Sequence, residues 1–85
     1  MKILKRNNDF VFKQVKNESV LLNAKTGDYF GLNDVGTDFY MLVDGKMSMD
    51  EIIEKIMDDY DVDKELLQKD IDELADKMLE KGILL

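Results

Sequence analysis

The sequence predicts an α+β domain, winged helix-turn-helix-like in layout, with a three-stranded antiparallel sheet followed by a three-helix bundle. Three observations predict it. Before residue 33, aromatic and β-branched residues gather in three short runs separated by turn residues. After residue 33 the apolar spacing lengthens to three and four. Capping residues then punctuate that second half at Asn33, Ser48 and Asp63. Strands first and helices afterwards pack as one layer on another, because each layer has a single apolar face to bury.

The first strand is expected over residues 10–15, Phe-Val-Phe-Lys-Gln-Val, and the second over 19–24, with Asn17-Glu18 turning the chain between them. Lys25-Thr26-Gly27-Asp28 reads as a hairpin turn in which Gly27 takes a positive φ. The third strand follows over 28–32. Its alternation sets Phe30 and Leu32 on one face and Tyr29 and Gly31 on the other. Three strands need a covering layer, and the helices supply it.

The first helix is expected over 34–44, capped by Asn33, carrying Val35, Phe39, Leu42 and Val43 inward and ended by Gly45. Ser48-Met-Asp-Glu51 matches a capping box and opens a helix over 49–60, with Met49, Ile52, Ile53, Ile56, Met57 and Tyr60 as its stripe. Asp63 caps the third helix, 64–81, with Leu67, Ile71, Leu74 and Met78 central and Ala75 and Leu79 widening the arc. Gly82 stops it, and Ile83-Leu84-Leu85 is expected to pack back. The basic segment at Lys2, Lys5 and Arg6 reads as a frayed terminus. The whole, 1–85, reads as one domain.

Composition narrows the chemistry. The 85 residues contain no Cys and no His, so the commonest general base and the commonest metal ligands are missing. No nucleophile is paired with a base, and the chain is expected not to be an enzyme and to need no cofactor. Asp58 to Asp63 resembles a cation loop but lacks the Gly and Glu that a calcium hand uses, so no metal site is expected. No apolar run approaches a membrane span or signal peptide, and a cytoplasmic protein is the expectation. The formal net charge is −7, with acids dense over 50–63 and 70–76. A surface of that sign repels phosphate backbones, so nucleic acid is not an expected partner.

What remains is binding. Residues Asp28, Tyr29, Phe30, Gly31 and Leu32 are expected at the sheet edge, where free N–H and C=O groups can accept an extended peptide as an added strand. Gly31 permits close approach, and Tyr29 offers an apolar wall with a hydroxyl tip. Gln68, Asp72, Ala75 and Leu79 are expected to border a groove beside that strand and to receive alternate side chains of the visitor.

Several short stretches in fixed order carry a resemblance: Leu22-Asn-Ala-Lys-Thr-Gly27, Leu32-Asn33, Gly36, Leu42-Val-Asp-Gly45, the helix from Ser48 to Tyr60, and Leu79-Glu-Lys-Gly-Ile-Leu84. From about Ser19 onward the chain resembles the PqqD-like family, the recognition domain of pathways that modify ribosomally made peptides. The resemblance implies three strands followed by three helices. It also implies a precursor leader peptide held antiparallel to the third strand and against the third helix, the two regions singled out above. The partner it implies is a separate modifying enzyme, such as a radical S-adenosylmethionine enzyme, a protease or a cyclase. Two other readings fit the layout: a winged-helix DNA-binding regulator, opposed by Asp70, Asp72, Glu73 and Asp76 on its would-be recognition helix, and a protein-interaction subunit with no peptide substrate.

Overall fold

The turn after Val15 fixes the first hairpin. Lys16 takes a φ of 59°, and the chain reverses across Lys16-Asn17, so the turn sits one residue earlier than Asn17-Glu18. In the computed structural model, which describes residues 2–85, β1 (Phe10–Val15) pairs antiparallel with β2 (Glu18–Asn23). A second turn leads to β3 (Tyr29–Leu32). Asn23 organises it: its side-chain oxygen accepts from the Lys25 and Thr26 amides, and its carbonyl accepts from Gly27 N at 2.8 Å. Gly27 has the φ of 81° that this closure requires. The sheet order is β1-β2-β3.

Three helices follow. α1 (Asp34–Leu42) starts at Asn33, whose side chain accepts from Gly36 N at 2.8 Å. It ends two residues short of the expected 34–44. Val43 is extended, and Asp44 Oδ1 accepts from the Lys46 and Met47 amides, drawing the chain into a turn before Gly45 is reached. The competing side-chain acceptor ends the helix. α2 (Met49–Asp59) begins with the reciprocal Ser48–Glu51 capping box, and α3 (Lys64–Glu80) with Asp63 accepting from Glu65 N and Leu66 N. Tyr60 and Lys81, expected as last helical residues, are the C-caps.

The core lies between the inner sheet face and the helices. Leu21, Leu32, Phe39, Val43, Ile52, Ile53, Ile56, Ile71 and Met78 are buried in it. α1 lies on β2 and β3 and touches both other helices. One polar pair is enclosed there: Ser19 Oγ and Thr37 Oγ1 share a hydrogen bond of 2.7 Å between β2 and α1.

The basic N-terminal segment is not frayed. Lys5 and Leu85 exchange backbone hydrogen bonds of 3.0 and 2.8 Å, and Asn7 N donates to Ile83 O at 2.9 Å. Leu4 is buried, and the Arg6 guanidinium lies 5.3 Å from the Tyr40 ring centre. The apolar tail explains this order. Ile83 and Leu84 pack into the core; Met78 O accepts from both of their amides, and the remaining main-chain groups need partners, which Asn7 provides for Ile83 O and Lys5 for Leu85.

Candidate functional site

Hydrogen-bond alternation decides which main-chain groups of β3 are free. Asn23 N donates to Asp28 O at 2.8 Å, and the register continues with Leu21 opposite Phe30 and Ser19 opposite Leu32. Bonded and non-bonded pairs alternate along an antiparallel ladder, so Phe30 and Leu32 direct N–H and C=O to β2. Tyr29 and Gly31 direct theirs the other way. Because β3 is last in the sheet order, those four groups face an open edge.

Beside that edge lies a groove of about 690 Å³. Gly31, Leu32 and Asn33 form one wall, Val35 and Gly36 of α1 the floor, and Val62, Asp63, Leu66, Leu67, Asp70, Ile71 and Leu74 the far wall. Leu66 is 65 % exposed, although it is a large apolar residue. The floor depends on Gly36. A Cβ there would lie 3.2 Å from Leu32 Cδ2 and 3.3 Å from Leu74 Cδ2. Glycine inside a helix costs about 0.5–1 kcal/mol relative to alanine; here its absent side chain lets β3, α1 and α3 converge.

A smaller cleft, about 360 Å³, borders the start of β3 and is lined by Phe10, Asn23, Asp28, Tyr29, Phe30, Lys81 and Ile83. The end of α3 therefore lies near the start of β3, and the first half of α3 near its end. The helix and the strand run in opposite senses, with the groove at one end of β3 and the cleft at the other.

The nine residues expected from sequence divide accordingly. Gly31 and Leu32 line the large groove, and Asp28, Tyr29 and Phe30 line the small cleft. Gln68, Asp72, Ala75 and Leu79 line neither. Ala75 is in the core at 1 % exposure, Leu79 is half-buried, and Gln68 and Asp72 are exposed. The reason is helical phase. At about 100° per residue, Leu67, Ile71, Ala75 and Met78 share one buried arc. Leu66, Asp70 and Leu74 lie on one flank of that arc, and Gln68, Asp72 and Leu79 on the other. The tertiary packing turns the first flank to β3. Leu66 carries one signal in the sequence, an apolar residue just outside the stripe.

The helices behind the groove are tied together. Tyr60 Oη at the end of α2 donates to Asp38 on α1 at 2.8 Å. That bond, reinforced by burial and by the charges of Asp38, Asp34 and Asp59, pushes the phenol up to about 12. Among the described residues no group of acids is arranged to hold a metal ion, and no helix is long and apolar enough to cross a membrane.

An open strand edge above an apolar trough, on a small winged-helix-like scaffold, defines a domain suited to holding extended chain. The chain belongs to the PqqD family, whose sequence model, described as "Coenzyme PQQ synthesis protein D (PqqD)", matches residues 18–84. Among solved structures it is similar to one described as "TbiB1 in Complex with the TbiA(beta) Leader Peptide", at 30% identity and a TM-score of 0.82, over 94% of this chain and 93% of that one. A second, "Lasso peptide synthetase B1 complexed with the leader peptide", shares 21% identity over 99% of both chains at a TM-score of 0.84. The heterocyclase TruD contains a like fold at 20% identity and a TM-score of 0.63, with this chain covering 96% of itself and 11% of TruD. The last two likenesses concern the fold. No curated protein matches the chain in sequence.

Proposed function

We propose that this protein is a non-catalytic adaptor that binds the leader segment of a ribosomally made precursor peptide and presents the peptide to a separate modifying enzyme. The observation that carries this reading is the pair of outward-facing backbone units at Tyr29 and Gly31, directly beside an apolar groove. The family membership and the TbiB1 complex with a leader peptide support it. The leader adds as a fourth strand antiparallel to β3. Its side chains opposite Phe30 and Leu32 fall on the inner face and enter the groove, while the intervening ones stay outside.

Four backbone hydrogen bonds at about 1 kcal/mol each roughly offset an association cost of at least about 4 kcal/mol. Strand addition alone breaks even, so affinity comes from apolar anchors, each contributing about 1.5–3 kcal/mol on burial. The amides of the edge give register, and Leu66, Leu67, Ile71 and Leu74 give grip. The adaptor then acts by proximity, raising the effective concentration of the core peptide at the enzyme to about millimolar for a short tether. A radical S-adenosylmethionine enzyme, a protease or a cyclase would each fit this role.

Titrating isotope-labelled protein with synthetic leader segments of candidate precursor peptides tests the reading by nuclear magnetic resonance. The Tyr29 and Gly31 amides shift and become protected from exchange. Binding that leaves both unmoved while other regions respond would falsify strand addition.

A further inference from the structure

The groove carries charge of one sign, and this bears on which peptide it takes. Its charged lining consists of Asp63 and Asp70, with no cation. Asp70 is exposed, and its carboxylate has no hydrogen-bond or ion-pair partner among the described residues. Asp63 uses Oδ1 to cap α3 and keeps its second oxygen. The surroundings reinforce the sign: residues 33–85 hold sixteen acids against six bases, whereas residues 1–32 hold three acids against six bases. Lys81 lines the separate smaller cleft at the start of β3, away from the groove.

We infer, on the leader-binding reading above, that the groove selects a leader segment with a Lys or Arg on the N-terminal side of its two apolar anchors, and that Asp70 is the specificity-determining residue. The order follows from topology. A visitor antiparallel to β3 meets Leu32 first and Tyr29 last, so its N-terminal residues lie over the first half of α3, where Asp63 and Asp70 stand. The anchors opposite Leu32 and Phe30 come next, two residues apart. A long cationic side chain spans from the added strand to the α3 wall, laying its methylenes across Leu66 and its charge against Asp70. An acidic residue at the same position meets two carboxylates and is rejected.

A display library of random dodecapeptides, selected separately on the wild-type protein and on Asp70→Lys, tests this. Asp70 is solvent-facing, and circular dichroism checks that the variant folds. Wild type is expected to enrich peptides with a Lys or Arg ahead of an apolar-x-apolar pair. Asp70→Lys is expected to replace that base with Asp or Glu while keeping the apolar pair. A synthetic winner should bind wild type at least about twofold more tightly than the variant, since the charge reversal removes an exposed ion pair and adds a like-charge contact, and the difference should shrink at high salt. Selection of the apolar pair with no basic bias, or an unchanged motif on Asp70→Lys, overturns the inference and leaves strand addition standing. Failure of any peptide to enrich, or winners that leave the Tyr29 and Gly31 amides unmoved, removes both.

Discussion

Gly36 of α1 and Leu74 of α3 approach so closely that a Cβ on the glycine would stand 3.3 Å from Leu74 Cδ2. This contact sets the depth of the groove. Replacing Gly36 by Ala gains about 1 kcal/mol of helix propensity and gives some of it back by displacing Leu32 and Leu74. The expected result is a melting temperature near that of wild type and a weaker complex with the precursor peptide, because the displaced leucines fill the floor. Thermal denaturation and calorimetric titration on the same sample check the two halves.

Gly31 presents its N–H to the open edge and makes no ladder bond with it. Gly31→Pro should therefore leave the β2–β3 pairing intact, since proline is tolerated where an edge N–H faces solvent. It removes one donor from the visiting strand and places ring atoms in its path. Peptide affinity should fall by at least about 1 kcal/mol, with stability changed far less. An equal loss in both would show that the Gly31 N–H is used within the protein.

Leu66 tests the phase of α3. It is 65 % exposed, so Leu66→Ser should alter stability by no more than about 0.5 kcal/mol. Binding should weaken by about 1.5 kcal/mol or more, the loss of one buried anchor contact. Gln68→Ala, on the opposite flank, should bind as wild type does. Fluorescence anisotropy with a labelled precursor peptide separates the two, and a reversed ranking would place the peptide on the other side of the helix.

The Ser19–Thr37 pair, bonded at 2.7 Å within the core, predicts non-additivity. Ser19→Ala or Thr37→Val alone leaves one buried hydroxyl unsatisfied and should cost about 1–3 kcal/mol. The double variant removes both hydroxyls and should cost less than the sum. Urea denaturation of the four proteins closes the cycle.

Tyr60 gives a pH prediction. Its folded pKa lies above the usual 10, at about 12, first because it donates to Asp38. A raised folded pKa means the native state holds the proton more tightly than the unfolded state. The Tyr60–Asp38 contribution is therefore full below pH 10 and lost as pH climbs through about 12. Ultraviolet titration of phenolate absorbance should show a late step that Tyr60→Phe reduces by one phenol, burial holding Tyr40 above its ordinary value in both proteins, and wild type should lose its stability advantage over that variant as pH climbs through about 12.

Much of this molecule was legible before folding was considered. The Asn33, Ser48 and Asp63 caps, the Gly27 turn and the inward alternation of Phe30 and Leu32 depend on neighbours a few residues away, and their patterns are written locally. The edge position of β3 followed from two short turns, which force a meander and leave its last strand unpaired on one side. The same local logic gave no warning that Asp44 would end α1 before Gly45, because two acceptors competed for the same amides.

Long-range packing decided the rest. The sequence by itself determined that α3 has a buried arc with apolar residues on both flanks. Which flank meets β3 depends on how α1 and α3 close over the sheet, and Gly36 controls that approach from 38 residues away from Leu74. The basic N-terminal segment is ordered for a similar reason: its partners are the main-chain groups of residues 83–85 at the other end of the chain. Periodicity records how much of a helix is buried, whereas the direction each flank faces is a property of the assembled domain.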